Sequence, residues 1–530
     1  MECFFSFTVP RVRGWQKYLL VLVCWQFVLP TARSQSVDFV VRVADTLKLG
    51  NRPFYFLGAN AYYLLQQSAR GDTATVKALF QRANALTMTV VRTWGFFDSS
   101  DSLNPAVIQY RPGVFNERAL RALDFVIFQA KLYNIRLLIP FVNNWDDYGG
   151  MNQYVVWRSG ITSSADRSAR RRYSQEDLLR VVEGGSGRRY RYATTALLGH
   201  DDFYSDPIIK SWFKNYISTI LARVNTYTNV RYKDEPTILG WELANEPRSS
   251  DGTTNLVHQW AREMATYVKA IDANHLLGTG EEGFDNTRNG YSFSSYGNQQ
   301  WLFDGTAGTA FTRNTMIPEI DFGSCHLYPE AWGISNAAGN AWIREHIRLA
   351  RSLGKPLIVG EFAAREQRTA TYASWLTTAL LDGAGGAIVW HLLEGTRAND
   401  GFGIRCEIEM DVCERLSETG ERFIAKSIFG PPPTPAAFSL RQNYPNPFNG
   451  VTTISYSLPF EAQVNLSVFN SLGQRVATIV DALQTAGERR ELLDSRGLAS
   501  GAYFYTITVS TPSQRLRKHF SATMRLTYLK

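Results

Sequence analysis

Eight short apolar runs, most of them followed by a longer helical pattern, constrain this chain more than any other feature. They are FYFLGANAYY (54–63), TVVRTWGF (89–96), IRLLIPFV (135–142), ILGWELANE (238–246), HLLGTGEEG (275–283), DFGSCHLY (321–328), PLIVGEF (356–362) and GAIVWHL (386–392). Stretches between them, such as NERALRALDFVIFQAKLY (116–133) and AWIREHIRLARSLG (341–354), repeat their apolar residues at the helical period. Eight buried strands alternating with helices predict an α/β fold, a (β/α)8 TIM barrel enlarged by loops. A doubly wound open sheet is the alternative. It lacks support because no GxGxxG follows the first strand.

The polar residues then sort by position. Each run is apolar along its length and turns polar or aromatic at its C-terminal end. Arg92 and Trp94 end the second run, and Asn143, Asn144 and Trp145 follow the third. Asn245 and Glu246 end the fourth, Glu282 the fifth, His326 and Tyr328 the sixth, Glu361 the seventh and Trp390 the eighth. In a barrel these ends share one face, where active sites are built. A single polar strand end is usually only solvated; seven in agreement point to a site.

Two of these residues are carboxylates on opposed strands, Glu246 and Glu361. A pair of carboxyl groups flanking a sugar ring cleaves a glycosidic bond, and at a separation of about 5–5.5 Å one serves as nucleophile and the other as acid, then base. The acid must hold its proton near neutral pH, which burial and neighbouring charge can arrange. The abundance of aromatics, 13 Trp, 25 Tyr and 31 Phe, suits both a large core and a cleft lined with rings.

WELANEP and IVGEF, with the HLY and VW strand ends, resemble glycoside hydrolase family 5. VVRTWGF, PFVNNWDDYGGMNQYVVW, HDDFYSDPIIKSWFKNYI, WELANEPR and DFGSCHLYPEAWG are similar to its endo-β-1,4-mannanase branch, over residues 38–430. The resemblance implies Glu246 as acid/base and Glu361 as nucleophile of a retaining endo-hydrolase of mannan, galactomannan or glucomannan. It further implies that Asn245 binds the sugar 2-hydroxyl and that Arg92 keeps Glu361 ionised. Tyr328 is expected to donate to the nucleophile and His326 to complete the polar network. Trp390 would supply a ring at the cleavage point, with Trp94, Trp145 and Trp332 as platforms, Asn143 in the substrate-binding set and Arg248 on the leaving-group side. No metal or organic cofactor is required. The departure from the pattern is residues 158–199, largely an Arg-rich run (163–192), expected to be a surface insertion at the cleft rim. An endo-β-1,4-glucanase on the same barrel and a non-catalytic carbohydrate-binding protein are the alternatives.

The flanks concern delivery. Arg11, Arg13 and Lys17 precede the apolar run YLLVLVCWQFVL (18–29), and TARS (31–34) offers small residues for cleavage, so 1–34 reads as a signal peptide. Export would leave Cys325, Cys406 and Cys413 in an oxidising compartment; Cys406 and Cys413 are close in sequence and could pair, and Cys325 would then be free. The catalytic domain is expected at 35–428 and a Pro-rich linker at 429–438. Beyond it, VTTISYSL, QVNLSVFN and GAYFYTITVS alternate with the strand period and predict a small β-sandwich at 439–530, separable from the barrel and removed after export. NYPNPFN, VFNSLGQRV and GLASGAYFYTI in that tail resemble the type IX secretion system sorting domain, which implies a secreted or surface protein and contact with the secretion machinery; a sugar-binding module is the alternative. The net charge of +8 carries no nucleic-acid signature beside it, so no nucleic-acid partner is expected, and the chain is expected to act as a monomer.

Overall fold

The computed structural model describes residues 38–160, 198–286, 291, 295–297, 299–397, 399–430, 434–510 and 519–530. The segment read as a signal peptide and the Arg-rich run 163–192 lie outside the described residues.

All eight apolar runs form parallel strands: β1 Phe56–Asn60, β2 Val90–Arg92, β3 Arg136–Pro140, β4 Ile238–Glu242, β5 Leu276–Gly278, β6 Gly323–Leu327, β7 Leu357–Phe362 and β8 Gly386–Val389. The helices after them are α1 Thr73–Ala85, α2 Glu117–Leu132, α3 Pro207–Ala222, α4 Asn255–Ile271, α5 Phe311–Thr315, α6 Ala338–Ser352, α7 Arg368–Asp382 and α8 Met410–Phe429. The sheet runs β5-β4-β3-β2-β1-β8-β7-β6. Backbone bonds from Asp321 to Leu277 (2.7 Å) and from His326 to Glu282 (3.0 Å) close the seam between β5 and β6, completing the (β/α)8 barrel.

Each strand, or for β6 the residue just before it, sends one apolar side chain into the lower interior: Phe56, Val90, Leu138, Leu239, Leu276, Phe322, Ile358 and Ile388. Val40 and Leu47, from an antiparallel hairpin that precedes the barrel, plug the bottom of this layer. The outward residues of the strands pack under the helices as a second, larger core.

Two irregularities decide what reaches the upper end. Along β4 the register against β3 passes from Leu137–Ile238 to Leu138–Gly240, and along β7 the register against β6 passes from Cys325–Val359 to His326–Glu361. Each is one extra residue in the strand, a β-bulge, and each reverses the alternation of side chains beyond it. Leu239 and Ile358 face inward, so strict alternation would turn Trp241 and Phe362 inward too. The bulges instead leave Trp241 and Phe362 in the outer core and turn Glu242 and Glu361 into the barrel mouth.

Phe429 still belongs to α8, so the connection to the tail begins at Gly430. The tail is all β: β9 Ser439–Leu440, β10 Val451–Leu458, β11 Ala462–Phe469, β12 Arg475–Gln484, β13 Gly487–Asp494, β14 Gly501–Ser510 and β15 His519–Tyr528. Sheets β9-β10-β13 and β12-β11-β14-β15 enclose alternate residues of their strands, among them Ile454, Tyr456, Leu466, Tyr505 and Ile507. Cys406 and Cys413 form a disulfide, and Cys325 is a buried free thiol.

Candidate active site

Arg92 is the hub of the barrel mouth. It is fully buried at the end of β2 and donates to four residues: Nε to Glu242 (2.7 Å), Nη1 to Asn60 (3.1 Å) and Glu361 (2.7 Å), and Nη2 to Asn245 (2.8 Å). A rigid planar fork is the only side chain that can hold four such partners at once. Asn245 passes its amide on to Asn143 (3.0 Å), and Asn60 donates to the Gly360 carbonyl (3.0 Å), so the strand ends are cross-linked around the cation.

Glu361 also accepts from the Tyr328 hydroxyl. Glu246 follows β4 with φ +51, in the left-handed region that residues other than glycine seldom occupy, the kind of backbone strain that collects at functional sites. Its Oε2 accepts from Trp145 Nε1 (2.6 Å) and its Oε1 meets His326 Nδ1 (2.7 Å). Glu246, His326 and Glu361 bring one polar atom each to within 4.8 Å of one another. Such a cluster can ligate a metal. Here Tyr328 and Trp145 already donate to the carboxylates, and Arg92 places a permanent cation in contact with Glu361.

Burial raises both carboxyls, Glu361 well above the ordinary value. Arg92 opposes this at Glu361, where the charge of Glu246 adds to it, and Arg248 opposes it at Glu246. Two groups so close titrate as a pair. Burial, helped by Arg92, lowers His326 to about 3, so its ring is neutral in the working range. A neutral imidazole can donate from Nδ1 to an ionised Glu246 or accept the proton of a neutral one, so it tolerates both states.

The remaining expected residues fall in three places. Arg248 forms a fork with Glu282 (2.6 Å on both sides), its guanidinium 5.3 Å from the centre of the Trp145 ring. Burial and the charge of Glu246, set against Arg248, push Glu282 up to about 7. Trp390 is half-buried and stacks on Tyr62 at 5.2 Å and 9°, its Nε1 donating to Asp400 (3.0 Å). The other three tryptophans are not open platforms. Trp94 is packed among Tyr62, Phe96 and Tyr148, Trp332 is packed on Phe284 and Trp342, and Trp145 serves as the hydrogen-bond donor to Glu246; each is 5–7 % exposed.

Sequence reasoning missed Asn60, Glu242, Tyr62 and Asp400. Asn60 ends β1 as the other polar residues end theirs, and Glu242 is a charge inside an apolar run; both signals were present. Tyr62 and Asp400 carry none, because they matter only through Trp390.

Residues 37–384 match the GH family 5 beta-mannosidase-like family. Mannan endo-1,4-beta-mannosidase 4 of Solanum lycopersicum is 36% identical over 65% of this chain and 77% of its own. The endo-beta-1,4-mannanase of Thermotoga petrophila, known from an X-ray structure, superposes with TM-score 0.61 at 27% identity, over 90% of this chain and 98% of its own. The endo-1,4-beta-mannanase of Rhizomucor miehei superposes with TM-score 0.58 at 32% identity, over 72% and 100%. Residues 442–519 match the secretion system C-terminal sorting domain, which marks the chain for type IX secretion to the cell surface or beyond. The chain belongs to the beta-mannosidase-like glycoside hydrolases of family 5.

Proposed function

We propose that the protein is a retaining endo-hydrolase of β-1,4-mannosidic bonds in mannan, galactomannan or glucomannan. The mannan substrate is supported by the activity named for its relatives in plants, a fungus and a bacterium. The retaining course is supported by one observation: nearest oxygens of Glu246 and Glu361 lie no more than 4.8 Å apart. Inverting pairs stand roughly 6.5–9.5 Å apart to admit a water on the far face of the sugar.

The steps follow from the contacts. Glu361 is the member of the pair in direct contact with a cation and a second donor, so the negative charge resides there although burial raises it further than Glu246. Glu246 keeps the proton and gives it to the departing glycosidic oxygen while Glu361 attacks the anomeric carbon. A covalent glycosyl-enzyme results. Glu246, now ionised and held by Trp145 and His326, takes a proton from water as that water attacks, restoring the starting configuration. Asn245 gives one N–H to Asn143 and, among the described residues, leaves the other for the sugar 2-hydroxyl. The parts of the chain divide as signal segment 1–34, catalytic domain 35–429, connection 430–438 and sorting domain 439–530, working as a single chain.

Glu361→Ala is expected to abolish release of reducing sugar from mannan without unfolding the protein. Glu246→Ala is expected to regain turnover in azide and to form a β-configured glycosyl azide. An α-azide product, or full activity in either variant, would refute the assignment; faster hydrolysis of carboxymethylcellulose than of mannan would point to a glucanase.

A further inference from the structure

A helix on the outside of a barrel ordinarily buries one face and leaves the other to water. α7 does not. Its barrel-facing Tyr372, Trp375, Leu376 and Leu380 are buried, and so are Ser374, Thr377, Thr378 and Asp382. Small polar and charged residues do not seek burial unless they are paired.

Strand β13 of the C-terminal domain and the turn before it provide the partners across the seam. Ser374 donates to the Arg490 carbonyl (2.7 Å), and the Thr485 hydroxyl donates to the Leu381 carbonyl (3.1 Å). Asn340, on α6, donates to Glu491 (3.0 Å) and accepts from Thr378 (3.0 Å). Arg344, also on α6, donates to Glu491 (2.9 Å), and Arg489 donates to Asp382 (2.9 Å). Gln484 adds a donor to Glu491 (2.9 Å) from within the sandwich. Arg489 is 1 % exposed and Glu491 2 %. Backbone and helix also touch closely: a side chain at Gly487 (φ +137) would begin 3.0 Å from the Leu381 methyls. Residues 38–530 form a single compact unit.

Two cations and two anions, one of each from either domain, pair across this seam. Buried ion pairs add little net affinity, but they penalise any arrangement that leaves one charge unpaired. A freely tethered tail has no reason to carry Arg489 and Glu491 inward on one strand, opposite Asp382 and Arg344. We propose that the C-terminal domain is a docked module, clamped to α6 and α7 by the Arg344–Glu491 and Asp382–Arg489 pairs, and that it stays on the barrel when the connection at 430–438 is cut. Sorting would then leave a two-part enzyme, and the secretion machinery would read the sheet β12-β11-β14-β15, on the far side of the sandwich from β13.

A protease site inserted after Pro435 of the full chain allows the connection to be cut. In size-exclusion chromatography at micromolar concentration the cut wild-type protein is expected to elute as one particle containing both fragments. The result should hold at high salt, because buried pairs are weakly screened. Asp382→Asn combined with Glu491→Gln leaves two cations unpaired, and the cut fragments are expected to bind each other at least ~10-fold more weakly. Arg344→Ala, which removes a cation at the edge of the seam, is the milder variant and should weaken binding in the same direction. Separation of the wild-type fragments on cutting, or wild-type association in both variants, overturns the proposal.

Discussion

Arg92 and Glu361 form an ion pair whose strength is set by a third residue, Glu242, buried on the other side of the same guanidinium. The charge of Glu242 raises Glu361, whereas the Tyr328 hydroxyl lowers it, both against a background of burial that raises it and Arg92 that lowers it. Two substitutions should therefore move one limb of the pH profile in opposite directions. The acid limb of kcat/KM reports ionisation of the nucleophile. Glu242→Gln keeps an acceptor for Arg92 but removes the charge, so Glu361 ionises more easily and the limb should shift down by about half to one pH unit. Tyr328→Phe removes a donor to the carboxylate, and the limb should shift up. Profiles that move together, or not at all, would show that neither residue tunes the nucleophile. At this scale the sequence named the hub well. Arg92, Asn245, Glu246, His326, Tyr328 and Glu361 do converge, because each ends a strand and strand ends converge in a barrel. Ring faces were illegible. Whether Trp94 or Trp332 meets a sugar depends on neighbours such as Tyr148 and Trp342, which come from distant parts of the chain.

The loop between β8 and α8 is the element that holds Trp390 in place. Asp400 accepts from Trp390 and from the backbone of Phe402 and Gly403, and Arg368 at the start of α7 donates to the carbonyls of Gly401 and Gly403. The Cys406–Cys413 disulfide ties the end of this loop to the first turn of α8. Closing so short a loop contributes at most about 2–3 kcal/mol through the unfolded chain. Replacing both cysteines by serine should cost up to that in stability, read by denaturant unfolding. It should also raise KM by about threefold with kcat nearly unchanged, because the ring is positioned less firmly while the carboxylates are untouched. A fall in kcat with KM constant would place the effect at the reacting groups instead. Strand existence was legible at this scale, since the apolar runs are long and regular. Strand facing was not. Period-2 alternation carried through β4 and β7 points Glu242 and Glu361 away from the mouth, and only the extra residue in each strand corrects it. A bulge in a parallel strand leaves no mark in hydropathy. Nor was the shortness of α5 foreseen, a five-residue helix where the others run to thirteen or more.

The whole molecule poses the question of what the barrel loses with its partner. Composition reads two domains, because the helical period stops before the connection. It hid their contact, because the residues that make it are polar on both sides: Ser374, Asp382, Arg344, Arg489 and Glu491 read as ordinary surface. The same polarity predicts what truncation does. A chain ending at Gly430 exposes Ser374, Thr377 and Thr378, all compatible with water, and leaves Arg344 and Asp382 with side chains 3.6 Å apart, able to pair with each other. Among the described residues the barrel and the sandwich bury separate apolar clusters, so the truncated barrel should remain soluble. None of the residues that converge on Arg92 lies on α6 or α7, so kcat on mannan should stay within about twofold of the full chain. What is lost is the docking energy, and its loss should lower Tm by about 2–4 °C for each kcal/mol the seam contributes. The measurement is paired thermal unfolding and mannan kinetics on the full and truncated chains. An aggregated or inactive truncation would mean that the sandwich completes the barrel core. An unchanged Tm would mean that the seam contributes nothing to stability.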